Sequence, residues 1–320
     1  MKLPIKDVER KILSGLTCTY EDACELSRLD DIEQLLESAN NIRSAFCGDS
    51  FELCAIANVK CGECSENCKF CAQSAHYNTG IEIYPFQDPE TVLNKAKENE
   101  KKGVHRFSIV TSGRTLSEDD FDKAVEIVTL IRRETTIKLC ASLGIISYDR
   151  VVALKDAGIT RYHHNLESCR DFFPNICTTH TYEERINTIN NASKAGLDIC
   201  SGGIIGLGES MIDRINLAFE LKALKVPSVP INILTPIRGT PLESITPISP
   251  LESIKTMAIF RFILPSTSLR YAGGRIQLGE YQEKGLCGGI NAALTGDYLS
   301  TLGSNVAYDV AMVARAGFIL

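Results

Sequence analysis

The sequence predicts an α/β fold, a (β/α)8 barrel of the TIM type with an N-terminal helical extension. Three observations carry that reading. From Phe51 onward, short apolar runs alternate with amphipathic stretches. Those stretches carry helix start and stop signals, so the runs between them pair in parallel. Eight such runs fit within 320 residues, which is in the usual range for such a barrel.

Residues 1 to about 45 read as polar and amphipathic helices. Leu26, Leu29, Ile32, Leu35 and Leu36 recur at helical spacing and are expected to cover one end of the barrel. Phe51 to Val59 is the first strand. Asp88-Pro89-Glu90 sets a cap and an N1 proline before a helix that ends near Gly103. His105 to Thr111 is the second strand, and Ser117-x-x-Asp120 opens a helix whose apolar face carries Phe121, Val125 and Val128. Ile137 to Ser142 is the third strand, followed by a helix over Val151 to Ala157 that Gly158 stops. Tyr162 to Asn165 ends the fourth strand, and a helix over Tyr182 to Ala195 stops at Gly196. Asp198 to Gly202, Val229 to Leu234, Ser268 to Ala272 and the weaker Ile290 to Leu294 complete the set. Nothing divides the chain. We expect one domain, with N-terminal helices over 1–48, a barrel core over 49–297 and a helical tail over 298–320.

Composition narrows the function. No run of about 18 apolar residues suggests a membrane span, and Met1-Lys2-Leu3-Pro4-Ile5-Lys6-Asp7 lacks the apolar core of a signal peptide. With a net charge of −6 and no basic cluster, neither nucleic acid nor an anionic membrane is an expected partner. Thirteen cysteines without an export signal point to metal or sulfur chemistry in the cytoplasm rather than to disulfides.

The chemistry concentrates in Gly62-Glu63-Cys64-Ser65-Glu66-Asn67-Cys68-Lys69-Phe70-Cys71-Ala72-Gln73-Ser74. Three cysteines at C-x3-C-x2-C spacing let one short loop wrap a cubane. Three thiolates for four irons leave one iron open to a small molecule, whereas sites built from four cysteines close every position. The competing reading is a zinc site completed by a cysteine from elsewhere. Cys140, Cys200 and Arg270 stand near expected strand ends and can point inward from different strands. Taken alone, both cysteines read as small core residues.

The C-x3-C-x2-C loop resembles that of radical S-adenosylmethionine (SAM) enzymes, and the run from Cys64 through Gly80 resembles the biotin synthase family within them. Cys140, the run Cys200-Ser201-Gly202-Gly203, His164-Asn165-Leu166 and Ser268-Leu269-Arg270 extend the resemblance over about residues 50 to 300. It implies a [4Fe–4S] cluster on Cys64, Cys68 and Cys71, with SAM on the open iron and Phe70 beside its adenine. Arg185 matches the arginine for the SAM carboxylate. Asn165 and Glu167 match residues at ribose and substrate, Asn232 matches an asparagine that binds the ureido ring of dethiobiotin, and the glycines around Gly203 pass under SAM. Without the resemblance, Arg185 reads as a solvated helix residue and Asn232 as a strand cap.

The same resemblance implies an auxiliary iron–sulfur cluster inside the barrel that supplies sulfur. Its usual ligands are three cysteines and one arginine, and three of those positions match Cys140, Cys200 and Arg270. The fourth matches Ser108, a departure, because a hydroxyl ionises far less readily than a thiol of pKa about 8.5. Either Ser108 is an oxygen ligand to a [2Fe–2S] cluster, or fewer ligands serve, or another cysteine compensates in a [4Fe–4S]-type cluster. Cys54 is favoured over Cys61 because it lies deeper in the first strand. Cys18, Cys24, Cys47, Cys169, Cys177 and Cys287 are left as structural. His163 and Glu167 stand where more familiar members have asparagine and aspartate.

The implied activity is insertion of sulfur into dethiobiotin by SAM-derived radical chemistry, with no side chain as catalytic acid or base. A flavodoxin or ferredoxin reductant and a homodimer are also implied. The alternatives are another radical SAM enzyme of the same barrel type (a maturase, mutase or lyase without sulfur insertion) and, from another class, an electron-carrying iron–sulfur protein.

Overall fold

The computed structural model describes residues 5–296 and 304–320; the first four residues and the part of the expected tail over 298–303 lie outside them. Nine strands form one sheet: β1 (Glu52–Lys60), β2 (Arg106–Thr111), β3 (Lys138–Ser142), β4 (Ile159–His163), β5 (Asp198–Cys200), β6 (Gly203–Ile205), β7 (Ser228–Ile233), β8 (Ser268–Tyr271) and β9 (Ala292–Thr295). Each pairs in parallel with its neighbours, β9 returns to β1, and Cys200 against Ser228 joins β5 to β7. The sheet is a closed barrel. It has eight strand positions: the fifth strand, expected over Asp198 to Gly202, ends at Cys200 as β5, and β6 continues the same position along β7 beyond Gly202.

The break falls at Gly202 for a steric reason. A Cβ there would lie 1.9 Å from the Pro230 carbonyl oxygen of β7, so only glycine lets the two backbones approach this closely. Beyond the break, Gly203 pairs with Ile231 on one side and forms an isolated bridge to Glu167 on the other.

Helices α1 (Ile5–Leu13), α2 (Tyr20–Ser27) and α3 (Ile32–Cys47) precede the barrel. The strands are linked through α4 (Pro89–Lys101), α5 (Glu118–Glu134), α6 (Tyr148–Ala157), α7 (Tyr182–Lys194), α8 (Met211–Ala223), α9 (Pro250–Ile263) and α10 (Tyr281–Leu286), and α11 (Val306–Arg315) follows β9. Thr181 caps α7 and Ser210 caps α8 through reciprocal capping boxes; at α5 only the Ser117 half forms. Val125 on α5 is half-buried, and Ala124, Ile127 and Ile131 join Phe121 and Val128 on the buried face. The leucine pattern of the N-terminal region crosses a break between α2 and α3. These two helices pack on α8 and α9, so they add to the helical shell.

At the N-terminal end of the barrel, Glu52 meets three inward arginines. Arg106 Nε and Arg161 Nη1 each donate to its carboxylate at 2.7 Å, and Arg270 Nη2 donates to the same Oε1 as Arg161. Burial by itself would raise the Glu52 pKa, but Arg270, Arg161 and Arg106 hold the carboxyl well below the usual range.

Two substitutions test this packing. The buried Arg275 and Asp309 pair joins the turn after β8 to α11. Asp309→Ala leaves the guanidinium uncompensated and should lower unfolding stability by about 3 kcal/mol or more; a loss under about 1 kcal/mol by urea denaturation would contradict that role. Gly202→Ala should cost about 1–3 kcal/mol from the Pro230 collision alone, read as a lowered thermal midpoint. An unchanged midpoint would mean that the strand break tolerates a side chain.

Candidate active site

The cysteine loop leaves β1 through two left-handed residues, Gly62 (φ 83°) and Glu63 (φ 52°). It is bonded to itself along its length. Cys64 N donates to Gln73 O at 2.9 Å, Ala75 N to Cys64 O at 2.8 Å and Cys71 N to Cys68 O at 3.0 Å. Ser74 Oγ donates to Glu66 O at 2.6 Å, and Tyr77 OH to Asn67 O at 2.5 Å. Lys69 N to Ile176 O and Asn67 N to Thr179 Oγ1 anchor it on the segment after β4. Loop hydrogen bonds, rather than regular secondary structure, therefore position the three thiols. Burial pushes the thiols of Cys64 and Cys71 up, that of Cys71 to about 11.

All three thiols and Phe70 line a cavity of about 300 Å³ at the C-terminal end of the barrel. Asn165, Glu167, Arg185 and Asn232 line it at mid-height, and Ser108, His163 and Arg270 line it from their strands. A neighbouring cavity of about 240 Å³ shares Phe70, Cys71, Asn165, Glu167 and Asn232. Gly203 lines neither: a Cβ there would meet the Glu167 carbonyl oxygen at 2.6 Å, so its part is to let that backbone pass.

Arg185 projects from α7, where Nη1 donates to Asn165 O at 2.7 Å and lies 3.8 Å from Glu167 Oε1. Glu167 holds a left-handed backbone (φ 69°), the kind of strain that collects at functional sites. Burial raises its carboxyl pKa and Arg185 opposes the shift. The Asn232 amide is spoken for: Nδ2 donates to Gly203 O at 3.1 Å, and Gly273 N donates to its Oδ1 at 2.9 Å. It joins β6 to the turn after β8 while facing both cavities.

Deeper in the barrel, Cys54, Cys140 and Cys200 are fully buried on three strands. The Cys54 thiol meets that of Cys140, and the His163 ring touches both Cys140 and Cys200. Cys200 Sγ also donates to Ser228 Oγ at 3.4 Å. Cys61 is elsewhere, its backbone paired with Tyr84; none of Cys54, Cys61, Cys140 and Cys200 is itself in the cavity lining, which His163, Ser108 and Arg270 supply at this depth. Burial opposes charge on this group. Nevertheless His163, Arg270 and Arg161 bring the Cys200 thiol down to about 7, and Cys200 and Cys140 lift His163 to about 9.

Three polar atoms around this depth, Ser108 Oγ, His163 Nε2 and Arg270 Nε, are buried with no hydrogen-bond partner. Each such atom costs about 1–3 kcal/mol, so their convergence on one cavity fits a polar group bound there. The donor chemistry agrees: thiols and an imidazole suit iron, and they stand beside guanidinium groups that offset an anionic centre.

Two groups were not singled out from the sequence. One is the Glu52, Arg106 and Arg161 floor, whose signal is charge at inward, period-two positions of apolar strands. The other is built on Cys177, which the sequence alone reads as structural. With Cys68 and His180 it forms a buried group whose ligand atoms lie within 4.8 Å of one another. His180 Nδ1 lies 3.2 Å from Cys177 Sγ and also contacts the Glu66 carboxylate. The C-x2-H spacing from Cys177 to His180 was the available clue.

Among the described residues, no helix is long and apolar enough to cross a membrane. The chain matches the family model of the radical SAM superfamily over residues 59–221 and that of the biotin and thiamin synthesis associated domain over 230–319. It is 53% identical to the biotin synthase of Acetivibrio thermocellus, with 97% of each chain covered. It is 51% identical to that of Clostridioides difficile over the whole of both chains. Among solved structures it is similar to methylornithine synthase, with a TM-score of 0.85 at 18% identity covering 97% of this chain and 96% of that one. It is also similar to a maturase of the [FeFe]-hydrogenase, with a TM-score of 0.84 at 16% identity covering 98% and 74%. These two share the barrel. The sequence matches, which run the length of the chain through both halves of the cavity wall, decide the family: the chain belongs to the biotin synthases of the radical SAM superfamily.

Proposed function

We propose that this chain inserts sulfur into dethiobiotin inside its barrel, between a SAM-binding [4Fe–4S] site at the mouth and an auxiliary iron–sulfur site below it. The observation that carries the reading is the single cavity lined by Cys64, Cys68 and Cys71 on one side and by Ser108, His163 and Arg270 deeper down. When bound, the iron–sulfur groups and SAM supply hydrogen-atom abstraction and sulfur, chemistry beyond any side chain present.

The residues of the chain bind, orient and exclude water. Cys64, Cys68 and Cys71 would hold the first cluster, with Phe70 against the adenine. Arg185 offers a guanidinium suited to the SAM carboxylate, Asn165 and Glu167 reach the ribose side, and Gly203 keeps the supporting backbone close. Asn165 and Asn232 face the space left for the ureido ring. Cys54, Cys140 and Cys200 would hold the auxiliary cluster, with Arg270 beside it and Ser108 as the alternative oxygen donor. The contact between the Cys54 and Cys140 thiols favours Cys54 as the compensating cysteine. Closing the mouth over SAM and substrate would keep radicals from water.

On this reading residues 1–320 act as one unit, as a cytoplasmic homodimer served by a flavodoxin or ferredoxin reductant, with neither nucleic acid nor membrane as partner. A maturase, mutase or lyase would not need Cys140 or Cys200.

Anaerobic reconstitution with iron and sulfide, followed by dithionite, SAM and dethiobiotin, tests the assignment by mass spectrometry. The intact chain should form biotin together with 5′-deoxyadenosine. Cys140→Ala should still cleave SAM, lose biotin and carry less iron and sulfide, whereas Cys71→Ala should lose both products. Cys54→Ala should resemble Cys140→Ala; full auxiliary iron and full biotin yield would remove Cys54 from the ligand set. Biotin formed at full yield by Cys140→Ala would overturn the auxiliary assignment.

A further inference from the structure

We infer that His163 is a fourth ligand of the auxiliary centre, its Nε2 binding iron alongside the sulfurs of Cys54, Cys140 and Cys200. The inference rests on the auxiliary reading above and extends it to a residue that the family pattern does not supply.

The position is specific. His163 ends β4, where the sheet register sets it directly beside Cys200. Its ring touches the thiols of both Cys140 and Cys200, and the thiol of Cys140 meets that of Cys54. Three sulfurs and one nitrogen thus form a continuous buried chain across the barrel. They do not converge tightly enough for a single ion; among the described residues the one group that compact is Cys68, Cys177 and His180. A spread set of donors suits a multi-iron group.

The nitrogen is also free to bind. Nε2 is buried, has no hydrogen-bond partner, and its residue lines the cavity. Its rivals for the fourth place are weaker donors. Arg270 is already engaged, with Nη2 donating to Glu52 and Nη1 to Ala293 O at 3.3 Å. The Ser108 hydroxyl would have to ionise. Iron binding displaces the proton that the neighbouring thiols favour on His163, and the neutral imidazole then offers a lone pair and is a common iron ligand.

The test uses the full chain loaded anaerobically with ⁵⁷Fe and sulfide. Mössbauer spectroscopy reads each iron in any oxidation state. His163→Asn, and His163→Gln as a second variant, should shift the isomer shift and quadrupole splitting of one auxiliary iron and leave the SAM-site irons unchanged. In the unmutated chain, histidine-selective ¹⁵N labelling should convert a ¹⁴N hyperfine coupling on the reduced centre into a ¹⁵N one. An auxiliary spectrum present in the intact chain, abolished by Cys140→Ala, yet identical in both His163 variants would overturn the ligand assignment alone. Iron and sulfide contents unchanged by both Cys140→Ala and Cys200→Ala would instead sink the auxiliary site, and the ligand assignment with it.

Discussion

The interior of this barrel is organised by an excess of buried positive charge. Arg106, Arg161 and Arg270 converge on one partly buried carboxylate, Glu52, and among the described residues only the half-exposed Asp198 lies beyond it as an ion-pair partner, at 3.8–4.0 Å from Arg161 and Arg106. Burying three guanidinium groups against one inward carboxylate is costly unless further negative charge lies close by. Cys140 and Cys200 stand directly above, and the pKa of each is drawn below that of an ordinary thiol. Against the cost of burial, Cys54 and His163 lower Cys140 and His163 lowers Cys200, with the arginine floor adding to both, while the Cys54 thiol is raised by Cys140 and by burial; thiolates are what an iron–sulfur centre requires. Glu52 meanwhile fixes the guanidinium planes, so the floor is rigid before anything binds.

A different strategy operates at the mouth. The three loop cysteines have no comparable field of cations, and burial raises Cys64 and Cys71. Their arrangement comes from backbone hydrogen bonds within the loop and from anchors on the segment around Ile176 to Thr179. On the proposed reading the two sites thus differ physically. The lower one is prepared electrostatically on strands, and the upper one is prepared by loop geometry. Between them lie Asn165, Glu167 and Asn232, each tied to the kink at Gly202–Gly203. The broken fifth strand is therefore the piece of fold that sets the middle of the cavity.

Much of this was legible in the sequence. Capped helices between apolar runs gave all eight strand positions, and the C-x3-C-x2-C loop located the mouth. The fifth strand, expected over Asp198 to Gly202, instead stops at Cys200 and resumes at Gly203, and nothing local reveals that the Pro230 carbonyl occupies the place of a Cβ at Gly202. Cys54 could be selected by depth and period, but its contact with Cys140 needs strands β1 and β3 brought to one interior. His163 drew notice only as a departure from the familiar asparagine. Its orphaned Nε2, on a ring beside two thiols, is a tertiary fact. The arginine floor was missed for a related reason: Arg106, Arg161 and Glu52 are each ordinary alone and acquire meaning only when three strands place them together.

The most direct measurement follows the sulfur itself. The chain would be reconstituted with ³⁴S-sulfide, freed of excess sulfide, and turned over once with SAM, dithionite and dethiobiotin, and the biotin weighed by mass spectrometry. Biotin carrying ³⁴S, and no biotin when Cys140 is replaced, is the result expected if the deep thiol layer holds the sulfur that is inserted. Unlabelled biotin from a fully labelled protein would contradict that account.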